Sequence, residues 1–204
     1  MTRISLILFD LNGVLYRYDQ AARVTALASV SGVLPGAIQA AIWDSGFEDS
    51  GDAGTLDADG YMTGFATAMG YKLSEAEWLG ALRAAIQPIP AALDLLPRIR
   101  SGVRCAVLTN NNLLVQRHFS ALYPEVAVRV GNHACVSAEF GARKPDPAVY
   151  RKCLDRLGAQ PAATLFVDDN QANVAGATTA GLAGHQSTSP EDLAIELRER
   201  GLLS

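Results

Sequence analysis

The feature that most constrains this chain is a short apolar run that ends on an acid. Ile4-Ser5-Leu6-Ile7-Leu8-Phe9 is β-prone and nearly free of polar side chains, then stops at Asp10 and the turn-forming pair Asn12-Gly13. A strand with one wet face alternates polar and apolar residues. A continuous apolar run instead points to a strand buried on both faces, as in a parallel sheet covered by helices. Two further runs repeat the form: Val103 to Leu108 ends at Thr109-Asn110-Asn111, and Ala163 to Val167 ends at Asp168-Asp169-Asn170. A short strand is expected around residues 134–137. Helices are expected over 91–100, 113–122, 171–180 and the tail to Arg200, and from Pro147 to Gly158 behind the cap Asp146. In a parallel sheet all these strand ends face one edge, where open α/β sheets bind ligands.

Between Tyr16 and Pro90 the texture changes to helical segments with small breaks. Asp19 to Ser31 stops at Gly32, Pro35 opens a segment to Ser45, and Asp59 to Met69 stops at Gly70. Ser74-Glu75-Ala76-Glu77 has the form of a capping box, opening a helix to about Gln87. No alternating strand is visible here, and Ser50-Gly51-Asp52-Ala53-Gly54 is expected as a flexible loop rather than a calcium site, because it lacks ordered ligands and a closing glutamate. Trp43, Phe47, Tyr61, Phe65 and Trp78 are expected as the core of this helical segment, and the 33 alanines suit close-packed helices.

Charge and composition exclude several function classes. A net charge of −4 argues against a nucleic-acid partner bound through bulk positive charge. No apolar stretch approaches the roughly 20 residues of a membrane span, and no signal peptide is evident, so no membrane partner and a cytoplasmic location are expected. Cys105, Cys135 and Cys153 fit neither a disulfide framework nor a zinc pattern. His118, His133 and His185 form no metal pair by spacing, and His118 is expected on a helix surface. The oligomeric state is not legible.

The polar groups at the strand ends form a coherent set. Asp10, Asp168 and Asp169 offer the hard oxygen ligands that suit Mg²⁺. Lys144, a threonine hydroxyl and backbone N–H groups suit a phosphate or another oxyanion, and a carboxylate can serve as a covalent nucleophile. Taken singly, each has a plainer reading: strand-end acids often cap the next helix, and lysine is usually a solvated surface charge.

Their order along the chain resembles that of the haloacid dehalogenase-like (HAD) hydrolases. Four motifs carry the resemblance: Phe9-Asp10-Leu11-Asn12-Gly13-Val14-Leu15; Leu108-Thr109-Asn110; Lys144-Pro145-Asp146-Pro147 followed by Tyr150; and Phe166-Val167-Asp168-Asp169 with Asn173, Ala175-Gly176-Ala177 and Gly181. The resemblance implies an α/β fold with a Rossmann-like core, its parallel sheet flanked by helices, over residues 1–15 and 93–204, plus a helical cap over 16–92. It also implies Mg²⁺-dependent hydrolysis of a small phosphorylated substrate through an aspartyl-phosphate on Asp10. The metal would be held by Asp10, the main-chain carbonyl of Asn12 and Asp169, with Asp168 adjacent. Thr109, the backbone of Asn110, and Lys144 would hold the phosphoryl group.

One position departs from the pattern. Phosphatases of this family usually carry a second aspartate two residues after the nucleophile, and here that residue is Asn12. An amide does not titrate near neutrality and cannot act as general acid or base. Four readings stay open: an aspartate changed to asparagine to trap a complex; a phosphatase for good leaving groups or with an acid borrowed from the cap; a 2-haloacid dehalogenase, whose leaving halide needs no proton; and a catalytically silent phosphate-binding or interaction protein. Tyr16 and Tyr18, just after the nucleophile, are candidate pocket residues.

Overall fold

The computed structural model describes residues 3–204, so residues 1 and 2 of the expected first core segment lie outside the described residues. β1 (Leu6–Phe9) and β2 (Tyr16–Tyr18) lead into α1 (Gln20–Ser31), α2 (Pro35–Gln39), α3 (Phe47–Asp52), α4 (Ala58–Met69) and α5 (Glu75–Ala85). The chain returns through β3 (Ile86–Pro88) and α6 (Pro90–Leu93) to β4 (Arg104–Thr109), α7 (Leu113–Arg117), α8 (Phe119–Leu122) and α9 (Pro124–Val130). It finishes with β5 (Ala134–Val136), α10 (Pro147–Leu157), β6 (Thr164–Asp168), α11 (Gln171–Thr179), β7 (Ala183–Gln186) and α12 (Pro190–Glu199).

Five strands form one parallel sheet in the order β5-β4-β1-β6-β7. β1 is central, paired with β4 on one side and β6 on the other, and all four of its residues are buried. Ile7 and Phe9 join the core on one face, while Leu6 and Leu8 join the core on the other. That two-sided burial is why the run shows no alternation. Each fully buried Leu, Ile or Phe contributes about 1.5–3 kcal/mol by leaving water. The sheet is the α/β core expected, and all its strands end at the same edge.

The helices α1–α5 form an insert between β2 and β3, which pair antiparallel with Tyr16 opposite Pro88 and Tyr18 opposite Ile86. This ribbon brings the chain's exit and return side by side. The expected capping box is in place, with Ser74 and Glu77 bonded reciprocally, and Asp19 caps α1 by accepting from the Ala22 N–H. Trp78, Tyr61 and Phe65 are fully buried, and their cluster runs without a break into the face of the sheet carrying Ile7 and Phe9.

Several local expectations are corrected. Residues 50–52, expected as a flexible loop, are the end of α3, with Gly51 and Asp52 buried. Tertiary packing overrides poor helix propensity there: a Cβ on Gly51 would lie 2.7 Å from the Tyr61 ring, so glycine lets the turn press against the insert's core. The expected helix over 91–100 is α6 followed by a tighter turn at Leu96–Arg98, which contains Pro97. The expected helix over 113–122 breaks at His118 into α7 and α8. His118 is not a free surface residue, because its Nε2 lies 2.5 Å from Glu75 on α5 and ties sheet layer to insert. Among the described residues no single helix is long and apolar enough to cross a membrane; α1 and α2 with its continuation to Asp44 reach that length only as a pair bent by 115°.

Candidate active site

The ends of β1, β4 and β6 deliver Asp10, Thr109 and Asp168 to one place, and the loop before α10 adds Lys144. The Lys144 ammonium sits 2.8 Å from Asp10 Oδ1 and 2.6 Å from Asp168 Oδ2, with 1% of its side chain exposed. It also lies over the Phe166 ring. Burial alone would lower the lysine pKa, but the two carboxylates outweigh it and raise it, so the ammonium stays charged. Burial pushes the Asp10 carboxyl up to about 6; Lys144 pulls it down and Asp168 adds to the rise.

Asp168 is fully engaged. Oδ1 accepts from the Asn170 N–H at 2.8 Å and from Asn173 Nδ2 at 3.1 Å, and Oδ2 accepts from Lys144 and from Asn173. Asn173 is steadied in turn by Tyr150, whose hydroxyl donates to its main-chain carbonyl at 2.7 Å. Asp169, by contrast, is exposed. One oxygen each of Asp10, Asp168 and Asp169 fall within 4.8 Å of one another, the cluster close enough to share a cation among the described residues. Partial desolvation beside the strand ends and the neighbouring Asp168 charge raise the Asp169 pKa. Gly13 makes room for Asp169: it sits at φ +91°, and a Cβ there would be 2.2 Å from the carboxylate. Only glycine gives both that backbone angle and that clearance.

Asn110 has a role the sequence did not reveal. Its Oδ1 accepts from the Lys144 N–H at 2.9 Å and its Nδ2 donates to the Lys144 carbonyl at 3.0 Å. Its amide therefore fixes the lysine loop against β4. Thr109 is buried, and its Oγ1 accepts from Asn111 Nδ2 at 2.9 Å, which leaves the threonine proton free to point elsewhere. Asn12 Oδ1 is buried without a partner among the described residues.

Of the tyrosines after the nucleophile, Tyr16 is buried, donates its hydroxyl to Glu125 and packs edge-on against Tyr123 at 4.9 Å. Tyr18 accepts from Arg23 Nη1 at 3.3 Å. Arg23 was not singled out in the sequence. It is 3% exposed, pairs with Glu48 at 2.6 Å and lies between the Trp43 and Trp78 rings at 5.5 and 5.2 Å. Its Nε and Nη2 have no partner among the described residues. No local signal marks it, because its partners come from three separate stretches of chain. The three cysteines are free and buried.

Residues 4–181 match the family model of haloacid dehalogenase-like hydrolases. A phosphatase of Mycobacterium tuberculosis is 37% identical over 90 residues, 42% of this chain and 39% of that protein. A sesquiterpene phosphatase of Aspergillus oryzae is 26% identical over 200 residues, 97% of each chain. The matched stretch spans between 10% and 42% of the length of three curated relatives. Among solved structures, a HAD family enzyme of Bacteroides thetaiotaomicron, in complex with magnesium and inorganic phosphate, superposes with a TM-score of 0.75 at 21% identity, over 89% of this chain and 93% of that one. At that identity the likeness is one of fold.

Proposed function

The chain belongs to the haloacid dehalogenase-like hydrolase family, and on that premise we propose that it hydrolyses a small phosphomonoester through a covalent phosphoryl intermediate on Asp10, with residues 16–92 acting as a cap over the strand ends. The observation that carries this reading is the buried contact between Asp10 and Lys144, with the Asp169 carboxylate close by.

The donor set fits Mg²⁺. It consists of hard oxygens, and Gly13 leaves a gap in which the Asp169 carboxylate lies beside the β1 end. Asp10, the main-chain carbonyl of Asn12 and Asp169 would hold the ion, with Asp168 next to it. Bound there, it would neutralise charge on the phosphoryl oxygens. The chain's own residues do the rest. Asp10 attacks phosphorus as a carboxylate. Lys144 offsets the crowding of negative charge around it, and the Thr109 hydroxyl and the Asn110 N–H donate to the phosphoryl oxygens. Positions fixed before the substrate arrives need no reorganisation during transfer, and the engaged Asp168 and Asn110 supply that fixity.

A 2-haloacid dehalogenase would leave the closeness of Asp169 to Asp10 without a use, and a silent binding protein would leave the Asp10–Lys144 contact without one. The test is turnover of an aryl phosphate with and without Mg²⁺, by this chain and by Asn12→Asp. Mg²⁺-dependent release of phosphate, lost with chelator, is expected. No turnover by either chain across many phosphomonoesters overturns the reading, and metal-free halide release from a 2-haloacid replaces it.

A further inference from the structure

Three carboxylic acids are buried among the described residues: Asp10, Asp168 and Asp52. The first two share Lys144. Asp52 is 8% exposed, and among the described residues its carboxyl takes part in no hydrogen bond or ion pair. Burial disfavours the charged form of a carboxyl that has no paired cation. Burial, with Glu48 and Asp49 beside it, holds Asp52 well above the usual carboxylate range, and Arg143 and Arg23 offset only part of that.

The place of Asp52 in the fold matters as much as its burial. It ends α3, and its main-chain carbonyl accepts from Ser137 Oγ at 2.6 Å. Ser137 Oγ also accepts from the Asn111 N–H at 3.1 Å, and Asn111 holds Thr109 Oγ1. This short relay anchors the residue over the loop that carries Thr109. The charged and titratable groups around its carboxyl are Glu48 and Asp49 on its own helix, Tyr18 on β2, Arg23 on α1, Tyr61 on α4 and Arg143. Arg143 immediately precedes Lys144 in the chain and pairs with Asp49 at 2.5 Å. Asp52 therefore stands where the insert meets the loops that line the candidate site. The neighbouring acids are committed elsewhere: Glu48 to Arg23 and Tyr61, and Asp49 to Arg143.

We propose that Asp52 is the general acid this chain uses in place of the aspartate missing at position 12. The proposal rests on the phosphomonoesterase reading above. In the first step an Asp10 oxygen forms a bond to phosphorus while the ester P–O bond breaks. The electron pair of that bond goes to the leaving oxygen, which takes the Asp52 proton and departs as an alcohol. In the second step water attacks the phosphoaspartate and gives a proton back to Asp52. The bond between phosphorus and the Asp10 oxygen breaks, its electrons return to the carboxylate, and inorganic phosphate leaves. Each group ends as it began.

General acid catalysis matters when the leaving oxygen is basic and hardly at all when it is not, a contrast that a merely structural residue would not produce. The test compares an alkyl phosphate with p-nitrophenyl phosphate, for this chain and for Asp52→Asn, with circular dichroism to show that the variant folds. Asp52→Asn is expected to lower kcat on the alkyl phosphate by about 10²–10⁴-fold and on the aryl phosphate by only a few-fold. Adding Asn12→Asp to that variant is expected to restore alkyl turnover. Equal losses on both substrates, or no loss on either, overturn the role of Asp52 while leaving the phosphatase reading intact. If neither the unaltered chain nor Asn12→Asp turns over any of many phosphomonoesters, that underlying reading fails and the role of Asp52 falls with it.

Discussion

The sheet layer and the helical insert handle buried charge in opposite ways. At the strand ends one lysine sits between two aspartates, and every oxygen of Asp168 has a donor. In the insert, among the described residues, Arg23 pairs with Glu48 yet keeps two nitrogens unmatched, and the Asp52 carboxyl has no paired cation. A fully matched network is rigid, and a half-matched one in a buried place is costly unless something else completes it. The contrast separates a fully matched set of charges at the strand ends from an insert whose buried Arg23 keeps two nitrogens without a partner among the described residues.

Four substitutions bear on that contrast, in falling order of effect. Asp10→Asn removes the proposed nucleophile, and kcat on an aryl phosphate is expected to fall by on the order of 10⁵-fold or more, as when a member of a catalytic unit is removed; residual turnover above a few per cent would move the chemistry away from β1. Lys144→Met leaves Asp10 and Asp168 facing each other in a dry site. A loss of about 3–5 kcal/mol is expected from urea unfolding, and a loss below about 1 kcal/mol would show that the trio is not a tight unit. Arg23→Met strands Glu48 and is expected to be similarly harmful alone, whereas Arg23→Met with Glu48→Gln recovers most of the loss, because replacing both members of a buried pair is often nearly neutral. If the double variant is no more stable than the single, the insert's charges are as tightly matched as those of the sheet. Ser74→Ala breaks only the capping box of α5, and about 1 kcal/mol is expected; a much larger loss would mean the insert unfolds from that end.

The same division governs how much the sequence reveals. β1, β4 and β6 were legible because burial on both faces writes itself as an unbroken apolar run ending on polar residues. The caps at Ser74 and Asp146 were legible because each bonds backbone two or three residues away. What was hidden depends on distant partners. β2 and β3 are three residues long and exist through pairing with each other. β7 is a sheet edge with the sequence Ala-Gly-His-Gln, too polar to stand out. The end of α3 is set by Tyr61, and the surroundings of Arg23 by Tyr18, Trp43, Glu48 and Trp78. In the candidate site, Asp10, Thr109, Lys144 and Asp168 converge as their order suggested. The bracing of Lys144 by the Asn110 side chain required the folded loop to be seen.

On the proposed reading Asp10 carries the phosphoryl group during turnover. The most direct test is to quench the reaction in acid during steady turnover of an aryl phosphate with Mg²⁺ and map the peptides by mass spectrometry. The account predicts a phosphoryl adduct on the peptide containing Asp10, absent in Asp10→Asn and absent without substrate. An adduct on another residue, or undiminished turnover by Asp10→Asn, would contradict it.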